Sequence, residues 1–239
     1  MYFWKCWRDT RGTLFALLGA VLAVGAFGAY VALDPLGWLA AKPLDARILW
    51  QYSSVALLGT MLGTAPVAGF WLGALGVGAE FEKGTADFLL TRPRARGYFL
   101  WASWAVGAAH MAALVLAAHV AQLTRSDPRA FGSLWVFLRS LAALGTLALL
   151  FYTLTYLMTT LAGNSRHGIA LTLGVIIVYE GLWMWLRFWY DINIPFFFDL
   201  WRAASPTSTS SLLPLVAGWL AVCLALMLAA QFRFERAEV

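Results

Sequence analysis

Six stretches of this sequence run for about 20 residues or more with few charges. They are approximately Gly12–Leu33, Ile48–Ala79, Phe99–Gln122, Leu134–Ala162, Gly168–Phe188 and Leu212–Phe232. No water reaches the hydrocarbon core of a bilayer, so a chain there must pair every backbone N–H and C=O internally. Runs of this length do so as helices, which cross about 30 Å of hydrocarbon at roughly 1.5 Å per residue. The expected fold class is an all-α membrane protein with six transmembrane helices, in one domain over residues 1–239. Composition closes the alternative of a large soluble fold. Charged residues make up 12% and hydrophobic ones 62%, with a mean hydropathy of +0.73, whereas soluble domains carry roughly a quarter of their residues as charges. The net charge of +5 and pI near 9.5 come from basic residues scattered between the apolar runs. That distribution suits membrane lipids with anionic headgroups and argues against nucleic acid.

Lysine and arginine in the short connections set the expected orientation. One side collects Lys5, Arg8, Arg11, Lys83, Arg92, Arg94, Arg96, Arg166, Arg233 and Arg236. The other has Lys42, Arg47, Arg125, Arg129, Arg139, Arg187 and Arg202. The bias puts both termini in the cytoplasm, as in a multi-pass protein of the cell membrane, of the kind found in a bacterial inner membrane. The first apolar run is too long for a signal-peptide core and is expected to be retained as a helix. Before it, Trp4 and Trp7 alternate with Lys5 and Arg8, the mixture of an interfacial amphipathic N-terminal helix. Two cysteines, Cys6 before the first run and Cys223 inside the last, do not make a disulfide framework.

The second run exceeds what a bilayer needs, so it should tilt or protrude into the cytoplasm. Gly59-x-x-x-Gly63 and Gly69-x-x-x-Gly73 flank Pro66 in it. Small residues at that spacing let another helix approach closely, and proline weakens the helix ladder. Packing within the chain and a dimer or pathway-lining face both fit this pattern. Residues 187–214, rich in aromatics and interrupted by prolines, are expected to lie at the outer surface.

The connection after the second run reads Glu80-Phe-Glu-Lys-Gly-Thr-Ala-Asp-Phe-Leu-Leu-Thr-Arg-Pro93, then Arg94 and Arg96. Gly84 can end the preceding helix, Thr85 can cap a new one with Asp87 in its first turn, and Pro93 stops it. Phe88, Leu89 and Leu90 give this short helix apolar residues that need covering by a cytoplasmic protein or by lipid.

The pattern E-x-E-x-G-T-x-x-x-L-L-x-x-P, carried by Glu80, Glu82, Gly84, Thr85, Leu89, Leu90 and Pro93 with a basic Arg96 beyond, resembles the ABC-2 permease family. The N-terminal Trp4, Lys5, Trp7 and Arg8 and the six-run layout are similar to that family too. The resemblance implies a single ABC-2-type transmembrane domain and a cytoplasmic coupling helix between helices 2 and 3. It also implies a second permease chain and cytoplasmic ABC ATPase subunits, with helices one, two and five near a central pathway. The chain contains no G-x-x-x-x-G-K-[ST] and so does not hold nucleotide in the P-loop manner. ATP and Mg would be bound by the partner subunit, with no cofactor in this chain.

Glu180 in the fifth run is an ionisable group inside the membrane and a candidate for the pathway, unless Arg187 or interfacial water satisfies it. His110 and His119, nine residues apart, point to opposite sides of one helix at about 100° per residue. No ligand-spaced Cys or carboxylate accompanies them. H-E-x-x-H and G-x-S-x-G are absent, and no buried Ser and His stand at a spacing that predicts contact. The expected function is the permease subunit of an ATP-driven exporter, not an enzyme. The alternatives are a membrane scaffold that recruits a cytoplasmic partner, or an intramembrane enzyme.

Overall fold

A computed structural model of the chain describes residues 2–33, 67–82, 84, 96–123, 134–192, 199–200 and 212–236. All regular structure among them is helical: α1 (Tyr2–Leu33), α2 (67–74), α3 (Val77–Glu82), α4 (Arg96–Leu123), α5 (Leu134–Ala162), α6 (Ser165–Tyr190) and α7 (Leu212–Glu235). Among the described residues four helices are long and apolar enough to cross a bilayer: α4 over Gly97–Val120, and the whole of α5, α6 and α7. The described residues are therefore all-helical and of membrane character. The first apolar run continues α1, and the second is described only from residue 67.

α5 is the hub. Its buried side chains include Leu144, Leu147, Phe151, Tyr152, Tyr156 and Leu157, and its polar residues either bond to its own backbone or reach across to a neighbour. Thr155 and Thr160 donate to the carbonyls of Phe151 and Tyr156, four residues earlier, which satisfies each hydroxyl without a partner helix. The Tyr152 hydroxyl donates to the Trp104 carbonyl at 3.0 Å and that of Tyr156 to the Leu100 carbonyl at 2.9 Å. The Trp104 indole N–H returns a bond to the Thr153 hydroxyl at 3.1 Å. In lipid, where apolar burial gives little drive to associate, such interhelical bonds and close packing hold helices together.

Close packing comes from glycine. A Cβ at Gly69 would stand 2.9 Å from the Ala148 carbonyl oxygen, and one at Gly73 would stand 2.8 Å from that of Tyr152. The Gly69-x-x-x-Gly73 face is thus a seam between α2 and α5. The Thr159 hydroxyl crosses it to the Gly73 carbonyl at 3.3 Å.

Contacts fix the directions. Tyr2 meets Phe99 and Trp7 meets His110, so α1 and α4 run in parallel. The Tyr152–Trp104 and Tyr156–Leu100 bonds make α4 and α5 antiparallel. α5 ends at Gly163, whose φ of 61° lies in the left-handed region that glycine enters without a Cβ penalty. Asn164 at once caps α6, its side-chain oxygen accepting from the N–H groups of Arg166 at 2.8 Å and His167 at 3.3 Å.

One expectation is corrected. The N-terminal residues are not a separate helix lying on the interface: α1 is continuous from Tyr2 to Leu33, because only Gly12 intervenes and no proline or capping sequence breaks the ladder. Tyr2 and Cys6 are buried against Phe99 and Val106 of α4. The second run, described from residue 67, is not one straight helix. It breaks at Leu75–Gly76, where the N–H groups of Leu75, Gly76 and Ala79 take tight bonds to carbonyls three residues back, and α3 follows. Gly76 lies against the Tyr156 ring, a spot with no room for a Cβ.

Candidate functional site at the charged end of the bundle

The helix directions bring the start of α1, α3, the start of α4, the α5–α6 turn and the end of α7 to one end of the bundle, and most described charges gather there. The Lys5 ammonium lies 2.8 Å from Glu80, with side chains only 35% and 16% exposed, so the pair is partly shielded from solvent. Glu82 accepts from the Ser165 N–H at 3.3 Å, in the first turn of α6, where the helix dipole favours an anion. The Phe81 ring, between these two acids, packs edge-on to Phe234 at 5.9 Å. Gly84 closes α3: its N–H bonds to the Phe81 carbonyl at 3.0 Å and its φ is 68°. α3 is therefore tied on one flank to α1, on the other to α6, and beneath to α7.

The opposite flank of the same end carries a smaller network. The Trp101 indole N–H donates to Gln231 at 2.8 Å, and Gln231 donates to Glu235 at 2.7 Å. Between α1, α2, α3 and α4 a cavity of about 30 Å3 is bordered by Tyr2, Cys6, Glu80 and Ser103, room for about one water. Burial pushes the Tyr2 hydroxyl above its ordinary pKa, and Cys6 and Glu80 add to the shift. Burial also raises the Cys6 thiol; a bond with Tyr2 pulls it partly back, and the Glu80 charge raises it again.

Of the residues singled out in the sequence, Lys5, Trp7, Glu80, Glu82 and Gly84 meet at this end. Trp7 is half-buried, 4.8 Å from the His110 ring, Trp4 is exposed, and exposed Arg8 lies 3.7 Å from Asp9. Thr85, Asp87, Phe88, Leu89, Leu90, Pro93 and Arg94 of the expected coupling helix lie outside the described residues, as do Gly59, Gly63 and Pro66. Arg96 begins α4. Gly69 and Gly73 face α5 within the chain.

Glu180 sits on α6, away from this end. Arg187 does not satisfy it: the guanidinium lies 3.7 Å from Asp191, whose left-handed φ of 52° ends the helix. His110 turns to Trp7 of α1 with neither ring nitrogen bonded. His119 turns to α5, so the two histidines serve different interfaces. A buried Ser and His do meet, although their spacing in the sequence predicts no contact. His119 Nε2 lies 3.1 Å from the Ser140 hydroxyl, while its Nδ1 is 2.8 Å from the Val115 carbonyl. That carbonyl fixes the proton on Nδ1 and leaves Nε2 to accept from Ser140. Both residues are buried, and the pair joins α4 to α5. Their 21-residue separation across a helical hairpin hid the contact. Sequence reasoning also missed Tyr152, Tyr156 and Gln231; polar side chains recurring within apolar runs were the available signal. Among the described residues no cluster of His, Cys, Asp or Glu is suited to hold a metal ion. No protein-family model matches the sequence, and no curated protein is significantly similar to it.

Proposed function

We propose that this chain is the permease subunit of an ATP-driven exporter of the ABC-2 type, working as a pair of permease chains with two cytoplasmic ATPase subunits. One observation carries most weight: α3, which carries both acids of the E-x-E-x-G-T segment, is anchored by Glu80 to Lys5 of α1 and by Glu82 to the first turn of α6. A force applied at residues 85–91 reaches α1 and α6 through those bonds. ATP binding by the partner would close the two ATPase subunits, shift the segment, and tilt α1 and α6 against their neighbours, opening a pathway near Glu180. The chain's own part in this cycle is mechanical. The arginines at 92, 94 and 96 would orient the partner more than they add affinity.

The test is co-purification from the native membrane in mild detergent, beside Phe88→Asp and Gly84→Val variants. A P-loop ATPase should accompany the wild-type chain, be lost with Phe88→Asp, and hydrolyse ATP without export with Gly84→Val. Recovery of no ATPase with wild-type chain would move the reading to a scaffold, and normal export by both variants would refute the coupling role of this segment.

A further inference from the structure

A second cavity, of about 530 Å3, opens at the charged end beside α3 and between the last turns of α5 and α7. Its charged lining is entirely basic among the described residues: Arg233 and Arg236. The nearby acids are engaged elsewhere. Glu235 receives the Gln231 amide and faces Gly97 of α4, and Glu82 is bonded to Ser165. Neither arginine has an ion pair among the described residues; the Arg236 guanidinium lies 3.8 Å above the Phe232 ring. Opposite them Leu161, Ala162 and Gly163 bring in the end of α5, where the last carbonyls of a helix have no intrahelical donors. An occupant that satisfies this lining presents an anion to the guanidiniums and hydroxyl donors to the carbonyls.

The third requirement is apolar. Leu228 and Phe232 lie four residues apart on α7 and Arg236 follows in the turn that ends it, its guanidinium over the Phe232 ring, so the three form one stripe from the flank of the span to the cavity, and Leu228 and Phe232 are exposed. Leu161 is exposed on the other lip. An acyl chain laid along that stripe brings a headgroup to the arginines. Basic pockets between helices at the membrane surface hold anionic lipid heads in this way.

We infer that the cavity between the ends of α5 and α7 is a binding site for an anionic phospholipid with a hydroxyl-bearing head, of the phosphatidylglycerol type. The site does not depend on nucleotide or on a partner subunit, so its test is separate from that of the exporter reading.

The experiment uses full-length protein purified in detergent and titrated with phosphatidylglycerol or phosphatidylcholine of the same acyl chains, reading thermal unfolding and, by native mass spectrometry, retained lipid. Phosphatidylglycerol should raise the midpoint by several degrees more than phosphatidylcholine and survive as a one-lipid adduct. Arg233→Gln with Arg236→Gln should abolish both differences, while Arg187→Gln, at the other end of the bundle, keeps them. If the double variant does not fold, the wild-type comparison of the two lipids and the retained mass decide alone. Equal responses to the two lipids, full retention by a folded double variant, or equal stabilisation by glycerol 3-phosphate without acyl chains would each overturn the assignment.

Discussion

Gly73 sits where a side chain has no room, because the Tyr152 carbonyl and the Thr155 Cβ lie 2.8 and 2.7 Å from the position its Cβ would take. Gly174 has nothing within 4 Å. Gly73→Leu is therefore expected to cost about 1–3 kcal/mol through overpacking against backbone. Gly174→Ala should leave stability unchanged or raise it by up to about 1 kcal/mol through helix propensity. Thermal or denaturant unfolding in a fixed detergent reads both, and similar effects from the two changes would refute the seam. The sequence showed the small-residue spacing but not its partner, since a Gly-x-x-x-Gly face is the same string whether it meets α5 or a second chain. Cys6 gives a pH-dependent counterpart. Its thiol is raised above the ordinary 9.0, so the native state holds the proton more tightly than the unfolded chain. Its stabilising share is present below that ordinary value and is lost as pH rises through the folded one. In a Cys223→Ser background, maleimide labelling of native Cys6 should be slow near neutral pH and still be accelerating between about pH 9 and 10, where an unfolded thiol approaches its plateau. A native rate that matches the SDS-denatured rate at every pH would contradict this.

At the level of elements, hydropathy located the described spanning helices closely, because the requirement to pair every backbone group in lipid leaves a run of this length no other form. The expected Leu134–Ala162 is α5 itself, and the other described spans differ by a few residues at their ends. What failed to show were events decided by contacts distant in sequence. The N-terminal residues read as an interfacial helix because their mix of tryptophan and basic side chains fits a membrane surface, yet α4 covers Tyr2 and Cys6, and Glu80, 75 residues away, takes Lys5. At the break at Leu75–Gly76 the Tyr156 ring packs against Gly76, leaving no room for a Cβ. The acids of the candidate site were legible as a motif; their anchors were not. A double-mutant cycle with Lys5→Ala and Glu80→Ala measures the tie between α1 and α3. A coupling of about 0.5–1 kcal/mol is expected for a pair of this partial exposure, weakening as salt is raised. A coupling of zero at low salt would leave α3 free of α1 and remove one of the two routes proposed for transmitting force.

The molecule as a whole is covered unevenly. Half of the apolar window of α4 is buried within the chain, but only 6% of that of α6 and 11% of that of α7. Lipid solvates such faces at no cost, so exposure alone does not call for a protein partner. α6 differs from α7 in carrying Glu180 within its span, whose nearest basic neighbour along the helix is taken by Asp191. A carboxylate on a face solvated only by hydrocarbon is costly, whereas one that lines a wet seam between two copies is not. On the proposed pairing of permease chains, α6 therefore meets its counterpart near Glu180. Cysteine placed at Gly181 in a Cys6→Ser, Cys223→Ser background should cross-link two chains in native membranes with a short bifunctional thiol reagent. A cysteine at Leu224, exposed on α7, should cross-link far less. Equal cross-linking at both positions would reduce the contact to random encounter in the bilayer. Cross-linking at Leu224 alone would move the seam to α7, leaving Glu180 without the hydrated neighbour that the pairing supplies.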